Sequence, residues 1–273
     1  MTNNASVIIT GSSGFIGKCF IESYSNLDLY RTKRKRNNQF TFEHIKSSSE
    51  SDYLDIDKNF VLLHLATHFS KNIEDKTLIT DANIDFGKNL INKLQNSKIK
   101  KIVYTNTMFN FYNEAEIREL YYTKSKQTFS NYLREICKEK SILFEEIYLD
   151  NTFGKNDKRK KVIPLIINSI INNQKNPIEN PNVSLNLVSV DDVVKRLFQA
   201  AFDNRDDSSL FIQKKSFELR TIYEYLNAYK NHNVRDHSLL KLRPNNYSDN
   251  LIFKNENNYQ LTRVYDQLLQ LVQ

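Results

Sequence analysis

Short apolar runs alternate with longer amphipathic stretches through roughly the first half of the chain. Four runs rich in β-branched and large aliphatic residues have the length of buried strands, at 5–10, 60–66, 101–105 and 143–149. Between them the apolar positions recur with a helical period, near 74–96 and 116–140. Strands that alternate with helices favour a parallel sheet, because each crossover helix packs back onto a sheet face. We therefore predict an α/β fold with a doubly wound parallel sheet.

The pattern changes after about residue 155. Helical stretches follow at 161–173 and 191–203, short apolar strands at 183–190 and 209–213, and a final helix around 259–272. This change predicts a first domain over residues 1–158 and a smaller, interleaved C-terminal region over residues 159–273. Residues 183–213 are expected to return to the first domain.

Charge, hydropathy and cysteine content indicate which partners and sites to expect. The net charge is +7, and the basic residues are spread out except for clusters at 31–36 and 155–161, which suit phosphate-bearing small ligands, so we expect no nucleic-acid partner. The sequence has neither a run of eighteen apolar residues nor a secretory signal pattern, which predicts a cytoplasmic protein without a membrane partner. Cys19 and Cys137 are too few for a disulfide framework and lie in no metal-binding pattern, so no metal site is expected.

A glycine-rich turn follows the first predicted strand. The sequence GSSGFIG contains three of the five glycines of the chain, in the spacing GxxGxxG. In such a turn the glycines allow a tight bend, a close approach of a pyrophosphate to the backbone, and close packing of helix on strand. We therefore predict a Rossmann-type domain that binds a dinucleotide through Gly11, Ser13, Gly14, Phe15, Ile16 and Gly17.

The end of the second strand distinguishes the two nicotinamide cofactors. An acidic side chain there accepts hydrogen bonds from the adenosine ribose, whereas cations pair with the 2′-phosphate of NADP(H). The chain reads DLYRTKRKRNN, which places Lys33 near the usual acidic position and Arg34 directly after it. We therefore predict that NADP(H) is favoured over NAD and that Lys33 and Arg34 bind its 2′-phosphate, while Lys35 and Arg36 belong to a solvated loop.

Seven motifs resemble, in order along nearly the full chain, the extended branch of the short-chain dehydrogenase/reductase family, which acts on nucleotide-activated sugars. They are GSSGFIG, LLHLAT at 62–67, ANIDFGKNLI at 82–91, IVYTNT at 102–107, YYTKSK at 121–126, LDNTFG at 149–154 and LVSVDDVV at 187–194. The resemblance implies an NADP-binding Rossmann domain, a smaller substrate domain and a nucleotide-diphosphate sugar as substrate.

The resemblance also implies the catalytic residues. In the family a Tyr precedes a Lys by four residues, which places both on one helical face, and within YYTKSK only Tyr122 and Lys126 have this spacing. Tyr122 is then the acid/base, while Lys126 binds the nicotinamide ribose and lowers the pKa of the phenol. The third member is a hydroxyl at the end of the preceding strand. Thr105 and Thr107 lie there on one strand face, and the family position matches Thr107.

Other positions match residues that contact the cofactor or the substrate in the family. Cofactor contacts are implied for Leu65, Ala66, Thr67 and Asn83, although Asn83 also fits an ordinary helix-surface residue. Substrate contacts are implied for Asn151, Lys161, Val162 and, at the pyrophosphate, Arg243. The chain departs from the family before the VSVDD segment, where Leu185 and Asn186 replace an Arg that binds the diphosphate.

The type of reaction depends on the residues after Thr107. Dehydratases of the family carry an Asp-Glu pair there, whereas this chain has Met108 and Phe109, which transfer no proton. Epimerases usually hold NAD tightly, whereas the TKRKR segment favours exchangeable NADPH. The segment NTFGKNDKRKKVIPLII resembles that of bacterial nucleotide-sugar 4-ketoreductases, including abequose- and paratose-forming enzymes. We therefore expect NADPH-dependent reduction of a 4-keto-6-deoxy or 3,6-dideoxy nucleotide sugar for O-antigen and other surface polysaccharides, with hydride transfer to the keto carbon and Tyr122 as proton donor.

Two other functions are compatible with the sequence. A nucleotide-sugar epimerase of the same fold, or a non-catalytic NADP-sensing protein, would share most of these motifs.

The family also implies a homodimer through the helices at 74–96 and 116–140. Apolar residues at helical spacing suit that interface but equally suit contact with the sheet, namely Phe86, Leu90, Phe129 and Leu133.

Overall fold

A computed structural model describes residues 5–35, 39–55, 57–180, 183–213, 215–247 and 264–273. Arg36 and the first five residues of the expected final helix lie outside these ranges. Within the described ranges, no helix has the length and apolar character needed to span a bilayer.

The chain forms a succession of strands and helices. The strands are β1 (Ser6–Thr10), β2 (Leu29–Arg34), β3 (Phe40–His44), β4 (Glu50–Ser51), β5 (Asn59–His64), β6 (Lys98–Thr107), β7 (Leu143–Leu149), β8 (Asn151–Phe153), β9 (Ser184–Leu185), β10 (Leu187–Ser189), β11 (Ser208–Phe211), β12 (Ser216–Glu218) and β13 (Leu242–Arg243). The α-helices are α1 (Phe15–Ser23), α2 (Lys76–Thr80), α3 (Phe86–Lys93), α4 (Ala115–Arg118), α5 (Tyr121–Lys140), α6 (Val162–Ile171), α7 (Val190–Phe202), α8 (Leu219–His232) and α9 (Val264–Gln270). A π-helical segment, Asp81–Asp85, connects α2 to α3.

The central sheet has eight strands in the order β11-β7-β6-β5-β1-β2-β3-β4. Neighbouring strands from β11 through β2 pair in parallel, and β3 and β4 then continue the sheet in antiparallel pairing. This arrangement confirms the predicted α/β fold with a largely parallel sheet. The sequence pattern did not predict the two antiparallel strands, and they bring new side chains beside β2.

Helices cover both faces of the central sheet. The apolar residues of α1 and α7 form one core with β1, β5 and β6, and those of α3 and α5 form another on the opposite face. Leu90, Phe129 and Leu133 are fully buried in this second core. Their helical spacing is therefore explained by contact with the sheet and gives no support to a dimer, which stays a prediction.

The C-terminal part of the chain builds a third core. It contains α6, α8 and α9 together with β12, which forms a small antiparallel sheet with β9 and β13. Between these elements α7 packs in the first core, and β11 pairs with β7 in the central sheet. The chain thus crosses between the two regions more than once. The boundary between residues 158 and 159 stays a prediction.

Helix α5 carries the Tyr-x-x-x-Lys motif in its first two turns. Its apolar side packs on the sheet through Phe129 and Leu133, which fixes the helix against β6 and β7. The helix ends at Ser141, which adopts a left-handed conformation (φ 52°), and the backbone N–H of Ile142 donates to the carbonyl of Cys137. The start of α5 consequently lies beside the end of β6, where Thr107 is the last residue.

Candidate active site

The glycine turn after β1 leaves no room for side chains. Gly11 has φ +67°, and a Cβ atom at this position would lie 2.7 Å from the backbone nitrogen of Ala66. A Cβ atom on Gly17 would overlap the carbonyl oxygen of Gly11. Helix α1 begins here with neither a side-chain cap nor an acidic residue in its first turn, so its N–H groups are available to an anion. This turn fits a dinucleotide pyrophosphate.

A cavity of about 590 Å³ opens above this turn. Its wall follows the carboxyl ends of β1, β2, β5, β6 and β7, which is where open α/β sheets bind ligands. The volume is within the usual range of sites for small molecules. Most of the residues expected at the site line this cavity: Gly11, Ser13, Gly14, Phe15, Ile16, Gly17, Arg34, Leu65, Ala66, Thr67, Thr107, Tyr122, Lys126, Asn151, Lys161 and Val162.

Tyr122 and Thr107 meet in this cavity. The hydroxyls of Thr67 and Thr107 both act on the phenol of Tyr122 and favour its charged form. Thr107 is almost fully buried, and its hydroxyl oxygen accepts a hydrogen bond of 3.2 Å from the backbone N–H of Phe109. Thr105 also lines the cavity, but of these two threonines it is Thr107 that acts on the Tyr122 phenol. A tyrosine hydroxyl and a threonine hydroxyl are therefore presented side by side.

Burial sets the protonation of both motif residues. It raises the pKa of the Tyr122 phenol, and hydrogen bonds from Thr67 and Thr107 only partly oppose this. The expected lowering of that pKa by Lys126 is not seen. Burial also lowers the pKa of Lys126 to about 7, against the attraction of Glu146, and its ammonium lies 4.1 Å from the centre of the Tyr104 ring. The phenol is thus protonated at neutral pH.

Asn83 lies in the π-helical segment and not on the cavity wall. Its carbonyl oxygen accepts from the Thr67 hydroxyl (3.1 Å) and the His68 backbone N–H (2.7 Å). Its amide donates to the His68 carbonyl (3.1 Å) and to the Ser125 hydroxyl (2.9 Å). These four bonds use the full capacity of an Asn side chain. Asn83 therefore holds Thr67 and helix α5 in place, and the structure does not bring it to the cofactor region.

Lys33 and Arg34 point in opposite directions because side chains alternate along β2. Lys33 forms ion pairs with Glu43 on β3 and Glu50 on β4, away from the cavity. Arg34 lines the cavity and pairs with Asp81 at 2.5 Å. The structure therefore separates these two basic residues and, of the two, brings only Arg34 to the cavity.

The expected substrate residues are also divided. Lys161 lines the cavity with its ammonium 3.7 Å from the centre of the Phe69 ring, and burial lowers its pKa. Arg243 does not line the cavity, and its guanidinium is exposed and paired with Glu218 on β12 at 2.7 Å. The structure thus brings Lys161, but not Arg243, to the site.

Sequence reasoning missed several residues of the cavity wall. Phe69 packs edge-on against Tyr122, with ring centres 4.9 Å apart, and Arg159 lies over the ring of Phe15 at 4.4 Å. Arg159 belongs to the basic cluster at 155–161, so charge was the only signal for it. Asp150 lies within the LDNTFG motif directly before Asn151, but the resemblance implied a ligand contact only for the Asn.

Two of the similar proteins are named as enzymes that act on nucleotide sugars. A CDP-abequose synthase from Salmonella muenchen is 22% identical over 241 residues, covering 82% of this chain and 80% of that protein. A UDP-N-acetylglucosamine 4-epimerase from Bacillus cereus has a TM-score of 0.74 at 15% identity, covering 98% of this chain and 95% of that one. The Bordetella bronchiseptica enzyme WbmF, solved with NAD+ and UDP, has a TM-score of 0.65 at 18% identity, covering 82% and 78%. At these identities the structural likeness establishes the fold alone.

A family model matches more than half of the chain. The match runs from residue 7 to residue 209 and so includes the glycine turn, the Tyr-x-x-x-Lys helix and the return of the chain to the central sheet. The chain belongs to the NAD dependent epimerase/dehydratase family.

Proposed function

We propose that this protein is an NADPH-dependent reductase of a nucleotide-linked 4-keto-6-deoxy or 3,6-dideoxy sugar. The observation that carries the proposal is that Tyr122 and Thr107 both line the cavity and that the Thr107 hydroxyl acts on the Tyr122 phenol. The similarity to a CDP-abequose synthase supports a nucleotide-sugar substrate. A role in bacterial surface-polysaccharide synthesis is part of the same proposal. Localisation in the cytoplasm and a homodimer remain parts of this proposal.

The residues of the glycine turn would hold the cofactor pyrophosphate, with Arg34 at the 2′-phosphate and Lys126 at the nicotinamide ribose. Bound NADPH would supply a hydride to the keto carbon. Tyr122 donates its proton to the oxygen of that carbonyl, and its raised pKa suits a proton donor because the phenol stays protonated at neutral pH. Thr107 donates a hydrogen bond to the same oxygen as negative charge develops there.

An aromatic wall favours a deoxy sugar. Phe69 and Phe109 both line the cavity and both pack edge-on to Tyr122, with ring centres 4.9 Å and 6.1 Å away. An apolar surface beside the proton donor suits the methyl group of a 6-deoxy sugar better than a hydroxymethyl group. The same position excludes dehydration, because Phe109 and the buried Met108 provide no carboxyl group.

Lys161 is the proposed contact with the substrate diphosphate. Lys161 is exposed, its ammonium lies over the Phe69 ring at the cavity, and no carboxylate among the described residues forms an ion pair with it. A phosphate group would supply a partner for this charge. Asn151 and Val162 border the same part of the cavity. Arg243 could reach the substrate only by leaving Glu218.

A nucleotide-sugar epimerase is the second candidate. The Bacillus cereus 4-epimerase matches 98% of this chain, and an epimerase would use the same Tyr and Lys. An epimerase returns the hydride to its substrate, so it consumes no NADPH. A non-catalytic NADP-sensing protein is less consistent with Tyr122 and Thr107 together at the cavity wall.

NADPH oxidation with a panel of substrates tests the proposal. The panel contains CDP-, dTDP-, GDP- and UDP-linked 4-keto-6-deoxy sugars, with the formed product identified by mass. We expect stoichiometric NADPH consumption with one nucleotide series. Interconversion of sugars without net NADPH loss would favour the epimerase, and binding of NADPH without any conversion would favour the sensing protein.

Arg34→Ala is expected to weaken NADPH binding by a little over tenfold, about 1.5 kcal/mol, and to leave NADH binding unchanged. This expected loss of binding free energy is at the low end for a charge-assisted hydrogen bond because Asp81 already pairs with Arg34. Titration of both cofactors gives the four dissociation constants. Lys33→Ala is the matched control and should preserve both affinities, since Lys33 binds Glu43 and Glu50 instead. Equal losses for NADPH and NADH in Arg34→Ala would contradict the assignment.

A further inference from the structure

Asp150 lies at the cavity wall between β7 and β8 and has no role in the mechanism above. Its carboxylate is half-buried and accepts hydrogen bonds from three neighbours. The phenol of Tyr112 is 2.9 Å from both oxygens, the phenol of Tyr247 is 2.5 Å from Oδ2, and the amide of Asn151 is 2.6 Å from Oδ1. Three donors from separate parts of the chain thus converge on one carboxylate.

Side-chain donors do not enclose this carboxylate completely. A carboxylate accepts about four hydrogen bonds, two at each oxygen. Tyr112 has a single hydroxyl proton, so it donates to one oxygen at a time although it is close to both. Together with Tyr247 and Asn151 it provides three side-chain donors, and the backbone N–H of Asn151 also stabilises the charged form. Because Asp150 lines the cavity, a hydroxyl of a ligand can share its oxygens with these donors.

The position of Asp150 in the sheet places it near the reacting carbonyl. In the pairing of β6 with β7, Thr107 lies opposite Leu149, and Asp150 is the next residue. Paired strands are about 4.8 Å apart, so Asp150 follows at the same edge of the sheet as the catalytic hydroxyl. A negative carboxylate at this place disfavours a phosphate and favours the hydroxyl-bearing part of the ligand.

The two tyrosines restrict the movement of this carboxylate. Tyr112 and Tyr247 form an isolated antiparallel bridge, and the backbone N–H of Asn113 donates to the carbonyl of Asn246 at 3.2 Å. Burial raises the pKa of Asp150 to about 6, while the bonds from both phenols and Asn151 oppose that rise, so the group is mainly ionised at neutral pH. An ionised, well-held acceptor is suited to selecting a donor.

We propose that Asp150 is a specificity residue that accepts a hydrogen bond from a ring hydroxyl of the substrate sugar. Tyr112 and Tyr247 are positioning residues that hold its carboxylate toward the cavity. The inference rests on the proposed function, since it takes a nucleotide sugar as the ligand. The inference adds that the protein recognises the sugar part of the substrate as well as the nucleotide, through the carboxylate of Asp150.

Binding measurements separate this role from a structural one. Wild type and Asp150→Asn are each saturated with NADP+ and then titrated with two sets of ligands. The first set is CDP, dTDP, GDP and UDP, and the second is the same nucleotides linked to a 6-deoxyhexose. We expect Asp150→Asn to bind the nucleotide sugar about tenfold more weakly, and to bind the free nucleoside diphosphate as wild type does. Asp236→Asn is the matched control, because Asp236 is exposed and only caps a short turn.

Each outcome decides between the alternatives. Equal affinities for the nucleotide sugar in wild type and Asp150→Asn, or equal losses for the nucleotide and the nucleotide sugar, would overturn the role of Asp150. A wild-type protein that binds none of the nucleotide sugars would overturn the proposed function together with this inference. If Asp150→Asn melts far below wild type, Asp150→Ser and Tyr247→Phe provide the same comparison. Tyr247→Phe keeps the carboxylate and should lose less sugar affinity than either Asp150 variant.

Discussion

Tyr122→Phe is expected to lower turnover by roughly 10²-fold or more while NADPH affinity stays close to that of wild type. The substitution removes the transferable proton but keeps the ring, which packs against Phe69 and Phe109. The interactions of the hydroxyl with Thr67 and Thr107 are lost as well. Steady-state NADPH oxidation with the substrate found in the panel measures the loss, and cofactor titration measures the affinity.

Tyr121→Phe is the matched control. Tyr121 is not on the cavity wall, and its hydroxyl bonds to that of Thr80 at 2.6 Å while Lys76 lies over its ring. Loss of this bond should cost about 1 kcal/mol of stability and leave turnover nearly unchanged. An inactive Tyr121→Phe enzyme beside an active Tyr122→Phe enzyme would show that the other tyrosine is the acid.

Lys126→Met is expected to impair both turnover and NADPH binding. Met keeps most of the buried stem that packs beside Tyr104 but removes the charge proposed to bind the nicotinamide ribose. A loss of roughly 10²-fold in kcat/KM is expected, which is within the range found when a positioned acid/base group, or a residue that positions it, is removed. The kcat and the dissociation constant for NADPH are measured separately, and both should change.

Lys124→Ala provides the comparison for Lys126. Lys124 is exposed on the opposite side of α5 and pairs with Glu119, also exposed. Exposed ion pairs contribute about 0–1 kcal/mol to stability, so neither turnover nor cofactor affinity should change measurably. A Lys126→Met enzyme with normal NADPH affinity would restrict Lys126 to the phenol and remove it from the cofactor site.

Apolar periodicity was sufficient to predict the fold and the motif helix. The strands β1, β5 and β6 each bury a short run of apolar residues, as strands covered on both faces do, whereas β7 buries Glu145 and Glu146 among its apolar residues. The glycine turn and the Tyr-x-x-x-Lys spacing are local as well, because each is decided within one turn or one helix. These features needed no knowledge of distant contacts.

The partners of individual polar residues required the tertiary structure. Lys33 and Arg34 are equivalent in the sequence, but β3 and β4 place Glu43 and Glu50 beside one of them and leave the other at the cavity. The same holds for Asn83, whose four hydrogen bonds come from a loop and from α5. Strand pairing and loop contacts join residues far apart in the chain, and no local pattern encodes them.

By itself, the sequence determined a Rossmann-type α/β fold, a dinucleotide turn and one Tyr–Lys pair, because short-range spacing and apolar burial suffice for each. Only the tertiary structure decided which basic residue of β2 lines the cavity and which polar groups surround Asp150 at its wall. Asp150 shows the reason most directly, since its tyrosine partners are 38 and 97 residues away along the chain. Hydrogen bonds across such separations form only after the sheet and the C-terminal region have packed together, and the identity of the partners is fixed by that packing.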